Sequence, residues 1–309
     1  MKLQEAIQIV KLNPWMDILT TLWIKVYNDY DIEKVYWNDI EKLPEWEYFI
    51  SDLDGTFFRW VLLQEAFTQF SKYVRNLDIR NIDIDRYKDF LDDYKYFLEL
   101  ENATYNKQIS YTDYLFAWMF LIYKYYDFVS WNDFLAYLRE NFYLKQKVNP
   151  FKFSFWKMAK ILVEWKKFMF VSWASSFVFD IYLDLLKQFI SNHLGKEYVE
   201  NIYGFSSYVN LWQKEVYNLW QNHNKYEFIK FVKSKWKITK LIWWMWDTTA
   251  DFWIALNVDE GYDFYFINPE HSVIDEFISN KDKYRNIHFI NERKNLIFEY
   301  NPENINVLD

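Results

Sequence analysis

The sequence contains no cysteine, and only 4 glycines, 5 prolines and 4 histidines in 309 residues. Without cysteine there is no disulfide, no thiolate nucleophile and no cysteine metal site. The histidines (His193, His223, His271 and His288) never fall at i,i+4, so the helical pair that often holds a transition metal is missing. A basic excess is missing too: 36 Lys and Arg stand against 44 Asp and Glu, a net charge of −8. A protein that grips phosphate backbones carries the opposite balance, so nucleic acid is not an expected partner. The longest wholly apolar run, Leu115 to Tyr123, is too short to span a bilayer. The opening MKLQEAIQIVKLNPW places Gln, Glu and Lys where a signal peptide needs uninterrupted apolar residues. The expectation is a cytoplasmic protein with no membrane partner.

What is present is apolar mass, 51% of the chain, enough to bury a sizeable core. Four short apolar runs read as buried parallel strands: YFIS at 48–51, FMFVS at 168–172, LIWWMW at 241–246 and YDFYFI at 262–267. Helical patterns lie between them, which predicts an α/β fold with an open parallel, Rossmann-like sheet. Residues 61–149 repeat apolar side chains at helical spacing with no strand among them, so they read as an inserted all-helical cap. The expected organisation is a helical amino-terminal extension over 1–44, a discontinuous catalytic core over 45–60 and 150–309, and the cap between its two parts. NIHFIN and NLIFEYN near the end suggest a hairpin.

In an open α/β sheet the ligand sits beyond the carboxyl ends of the strands. Three of the expected strands end in functional side chains. The first delivers Asp52-Leu53-Asp54-Gly55-Thr56, the second Ser172, and the third Asp247-Thr248-Thr249-Ala250-Asp251. Separately each has a plain structural reading: Asp-Gly as a hairpin turn, the serine as a helix cap, the last acids as a helix start. Their conjunction, in this order and each after a strand, resembles the haloacid-dehalogenase-like hydrolase superfamily, in its phosphoserine-phosphatase-like branch with a helical cap.

The resemblance implies a phosphatase dependent on Mg2+ and acting on a small phosphorylated metabolite. By the same resemblance Asp52 is the nucleophile that forms an aspartyl-phosphate, and Asp54 is the general acid and base. Ser172, Thr56 and Lys225 hold the phosphoryl group. Lys225 has the right spacing and opens a helical pattern, with Lys230 the weaker alternative. Asp52, Asp54, Asp247 and Asp251 are the implied metal ligands or their support. These residue types suit the chemistry, since phosphoryl transfer needs a nucleophile, a proton donor and fixed positive charge, and Mg2+ prefers hard oxygen ligands. The stretch FFRWVLLQE after the first motif is apolar except for Arg59 before Glu65, so phosphoserine itself is not implied as the substrate. The alternatives are a non-catalytic binding or scaffold protein that keeps the fold, and a phosphotransferase to an acceptor other than water.

The scarce residue and the abundant one are connected. There are 17 tryptophans, and tryptophan plus glycine together come to 21 of 309 residues, near the roughly 7% that glycine alone usually takes. Trp173 follows Ser172, and Trp246 precedes Asp247, where the family motifs have glycine. Trp46, Trp165, Trp220 and Trp236 stand in turn-like settings, where glycine has a physical reason and an indole has none. One reading is a genuinely tryptophan-rich chain with a crowded site. The other is a gene whose UGA codons mean glycine, a recoding found in AT-rich genomes and consistent with the abundance of Lys, Asn, Ile, Phe and Tyr.

Overall fold

The computed structural model describes residues 1–13, 18–54, 56–57, 62–78, 80, 82–106, 111–128, 130–141, 150–217, 219, 224–235, 237–246, 263–269, 271–283, 286–293 and 296–300. In chain order its main elements are α1 (Leu3–Leu12), β1 (Lys25–Val26), α2 (Ile32–Glu41), β2 (Trp46–Ser51), α3 (Leu62–Arg75), α4 (Ile84–Tyr105), α5 (Tyr111–Tyr125) and α6 (Trp131–Asn141). They continue with α7 (Lys152–Val163), β3 (Lys167–Ser175), α8 (Ser176–His193), β4 (Ile202–Asn210), β5 (Glu215–Tyr217), α9 (Asn224–Ser234), β6 (Ile238–Trp246), β7 (Phe264–Ile267), α10 (His271–Asn280), β8 (Ile287–Arg293) and β9 (Leu296–Tyr300). The chain forms two compact units. One comprises Met1–Tyr27, Leu62–Gln146 and Tyr208–Tyr217, and the other Asn28–Val61, Lys147–Ser207 and Asn218–Asp309.

The second unit is built on a sheet in the order β4-β3-β2-β6-β7-β8-β9. Every neighbouring pair in it is parallel except β8 and β9, the hairpin that the sequence suggests. This is the α/β, Rossmann-like class expected from the alternation of strands and helices. β2 lies in the middle, and its Tyr48, Phe49 and Ile50 are all buried, because helices cover both faces of a parallel sheet and leave no polar alternation. α8 follows β3 directly and packs Val178, Phe179, Ile181, Tyr182, Leu186 and Ile190 inward at helical spacing. Gly204 of β4 sits under this helix, and a Cβ there would come within 2.6 Å of the Phe179 ring. A side chain at 204 would have to displace the Phe179 ring and the Leu183 methyl group.

Register fixes what shares the sheet's carboxyl edge. Ser51, the last residue of β2, is level with Phe170 of β3 and Met245 of β6. Asp52 and Ser172 therefore emerge at the same edge. Strands β1, β4 and β5 were not expected from the sequence. β1 and β5 are too short to show a period, and β4 reads IYGFSSYVN, broken by glycine and two serines.

The first unit is mainly helical, with α3 to α6 where the sequence shows uninterrupted helical spacing. Its core is aromatic: Phe67 meets Phe97 with ring centroids 4.5 Å apart, Phe70 meets Phe134 at 5.4 Å, and Tyr114 meets Trp118 at 4.7 Å. Asp93 of α4 is buried there. It accepts the Leu3 N–H at 3.0 Å, the Lys124 ammonium at 2.7 Å and the Tyr125 hydroxyl at 2.7 Å, so one carboxylate joins α1, α4 and α5. Among the described residues no helix is long and apolar enough to cross a membrane.

Candidate active site

The chain leaves β2 at Ser51, and the next side chain, Asp52, is 2% exposed. Asp54 is 4% exposed, and Thr56 and Ser172 are fully buried. Two carboxylates so close in sequence and both out of water carry a large desolvation penalty unless positive charge is present. Lys225 supplies part of it. Its ammonium donates to Asp52 Oδ2 at 2.9 Å, while the Leu53 N–H donates to Oδ1 at 2.7 Å. Burial pushes the Asp52 carboxyl up, and the charge and hydrogen bond of Lys225 and the Leu53 N–H pull against it without cancelling it.

Lys225 comes from the first turn of α9. Lys230, one turn and a half further along, is 61% exposed and faces Glu227 at 3.5 Å. Of these two lysines it is Lys225 that reaches the carboxylate. Ser172 lies near the end of β3, and its Oγ accepts the Ala174 N–H at 3.1 Å. The backbone after it is held as well, since Ser207 donates to the Trp173 carbonyl at 2.8 Å.

The turn that carries Asp54 is fixed by a chain of contacts. The Phe57 N–H donates to the Leu53 carbonyl at 3.0 Å, the Phe151 N–H to the Phe57 carbonyl at 2.8 Å, and Ser154 Oγ to the Thr56 carbonyl at 2.7 Å. The last two donors belong to the start of α7, so that helix pins the turn. α7 is itself capped from far away in sequence. Buried Glu292 of β8 takes the Lys152 N–H on one oxygen and the Phe153 N–H on the other, both at 2.8 Å. Glu292 is a site residue that the sequence did not reveal, because a cap 140 residues distant leaves no local pattern. Tyr182 is buried on α8, where burial and then the charge of Asp54 hold its phenol well above the usual value.

Asp247 and Asp251 lie outside the described residues, as do Gly55 and Arg59. β6 runs to Trp246, so the chain enters that segment at the same edge as Asp52. Among the described residues no group of three or more His, Asp or Glu side chains gathers into a metal site. Two of the four ligands implied by the resemblance are outside that set. The two that are described, Asp52 and Asp54, are buried hard-oxygen donors with the Lys225 ammonium on Asp52, and this donor set fits a small divalent cation such as Mg2+.

No family model and no curated protein matches the sequence. Among the solved structures similar to this one are the two that follow. The first is a probable phosphoserine phosphatase from Vibrio cholerae in unliganded form, at 10% identity and a TM-score of 0.44, over 80% of this chain and 62% of that one. The second is a HAD-family hydrolase from Salmonella enterica serovar Typhi, at 12% identity and a TM-score of 0.42, over 76% and 67%. The likeness is one of fold, and the chain spans less than two thirds of the first structure's length.

Proposed function

We propose that the protein is a Mg2+-dependent phosphomonoester hydrolase that acts on a small phosphorylated metabolite through an aspartyl-phosphate. The observation that carries this reading is the Lys225 ammonium 2.9 Å from the buried Asp52 carboxylate, at the carboxyl end of the central strand. A carboxylate paired with a lysine at that edge is suited to attack phosphorus, because the lysine can turn its donors from the carboxylate to the incoming phosphoryl oxygens.

An Asp52 oxygen forms the new bond to phosphorus as the bond to the substrate's alkoxide oxygen breaks. Asp54 gives its proton to that leaving oxygen. It then takes a proton from the water that attacks the aspartyl-phosphate, which returns Asp52 as a carboxylate and releases phosphate. Lys225, Ser172 and Thr56 hold the phosphoryl oxygens. Mg2+ would be held by the Asp52 carboxylate and the Asp54 backbone carbonyl, which leaves the Asp54 side chain free to carry its proton, with Asp247 and Asp251 as further ligand or support, and it would supply the charge that lets two anions approach. Asp52→Asn keeps the shape and removes the nucleophile. It is expected to lower hydrolysis of p-nitrophenyl phosphate in the presence of Mg2+ by roughly a thousandfold or more. Turnover equal to that of the parent chain removes Asp52 from this role and the proposal with it.

A further inference from the structure

Among the described residues five non-glycine positions have positive φ: Trp23, Trp165, Lys214, Asn268 and Asn286. Asparagine tolerates that region, but for a residue as bulky as tryptophan it is an outlier. The two tryptophans stand at the same place in the same motif, one in each unit of the molecule. At the end of α7 the Trp165 N–H donates to the Leu162 carbonyl at 2.9 Å and the Lys166 N–H to the Ile161 carbonyl at 3.2 Å. After the 3-10 turn Ile18–Leu22 the Trp23 N–H donates to the Thr20 carbonyl at 3.0 Å and the Ile24 N–H to the Leu19 carbonyl at 3.3 Å. This pair of bonds is the Schellman closure, whose left-handed position helix ends fill with glycine. Burial does not explain an indole at either site, since Trp23 is 90% exposed and Trp165 is 58% exposed. The outer bond of the same closure also ends α9, where the Lys237 N–H reaches the Val232 carbonyl at 3.3 Å. The sequence places another tryptophan at 236, outside the described residues.

We infer that Trp23 and Trp165 are glycines in the protein that the cell makes, encoded by UGA codons that its ribosomes read as glycine. The backbone at these two positions takes the conformation that glycine adopts without strain, and the chain is short of glycine by about the number of its tryptophans. Gly204 and Gly195 fit the same account as glycines from ordinary codons: one is fixed by the Phe179 contact, and the other has φ 129°. Not every tryptophan is recoded. Trp118 fills the helical core with no exposed surface, where an indole has a packing reason. The inference stands apart from the proposed activity but bears on the same site, since the same decoding at 173 would remove an indole beside Ser172.

The test reads the gene and the protein together. UGA at codons 23 and 165, with glycine-mass peptides covering both positions in protein isolated from its own cells, is the expected result. UGG at these codons, or tryptophan-mass peptides, overturns the inference. A second measurement uses the recombinant chain as written. Trp165→Gly and Trp23→Gly are each expected to raise the melting temperature by roughly 2–4 °C, while Trp118→Gly lowers it sharply. An unchanged or lower melting temperature for both of the first two variants counts against the inference as firmly as a UGG codon.

Discussion

A buried carboxylate is worth little without its partner, and Asp52 is 2% exposed with the Lys225 ammonium on it. Replacing Lys225 by methionine keeps the volume and strands the acid in a dry site. Breaking a buried pair in this way costs about 3 kcal/mol, less whatever Asp52 recovers by taking up a proton. Lys225→Met should therefore lower both the denaturant midpoint and phosphatase turnover. Lys230→Met provides the control: its lysine is 61% exposed in an i,i+3 pair with Glu227, worth at most about 0.5 kcal/mol, and it should move neither readout. If Lys230→Met abolishes turnover and Lys225→Met does not, the assignment of the phosphate-holding lysine is reversed. The resemblance could propose Lys225, by its distance from the last motif and the helical pattern it opens. Only the folded chain could bring it to an aspartate 173 residues away.

Between elements, Glu292 shows how a remote strand governs the local geometry of the site. Its two oxygens satisfy two N–H groups at the open end of α7, and the same end of that helix holds the carbonyls of Thr56 and Phe57. Removing a charged cap from a helix start typically costs about 1–2 kcal/mol. Glu292→Ala is expected to lose that much stability and also to lower kcat, because the turn carrying Asp54 loses its anchor. Glu292→Gln, which keeps one oxygen acceptor, should recover part of both. A Glu292→Ala variant that loses stability and keeps full kcat would show that α7 does not position the turn. The sequence revealed the elements with a strong local signature: long helices with regular apolar spacing, and the apolar runs of β2, β3, β6 and β7. It missed β4 because Gly204 and Ser207 are there for tertiary reasons, the first to admit Phe179 and the second to bond Trp173 and Leu219. Tertiary demands of this kind erase the period on which strand recognition depends.

At the scale of the whole molecule, the order of the chain hides how it is partitioned. Residues 1–27 group with residues 62–146 through contacts such as Asp93 to Leu3, and residues 208–217 join the same unit through the pairing of β5 with β1, although each stretch lies far from 62–146 in sequence. No composition shift marks those joints, so the partition had to be seen in three dimensions. Charge, in contrast, is legible from the sequence and has a consequence for the whole molecule. A net charge of −8 repels an anionic phosphomonoester at long range, and Lys225 can attract it only at short range. Salt shortens the range of that repulsion, with a Debye length of about 30 Å at 0.01 M and about 8 Å at 0.15 M. With Mg2+ held saturating, kcat/KM for p-nitrophenyl phosphate should therefore rise, by up to severalfold, as NaCl increases over that interval. Substrate capture governed by a local positive field would show the opposite slope. A kcat/KM that falls steadily with salt would mean that the acidic surface is turned away from the site and that the lysine at Asp52 sets the field which the substrate meets.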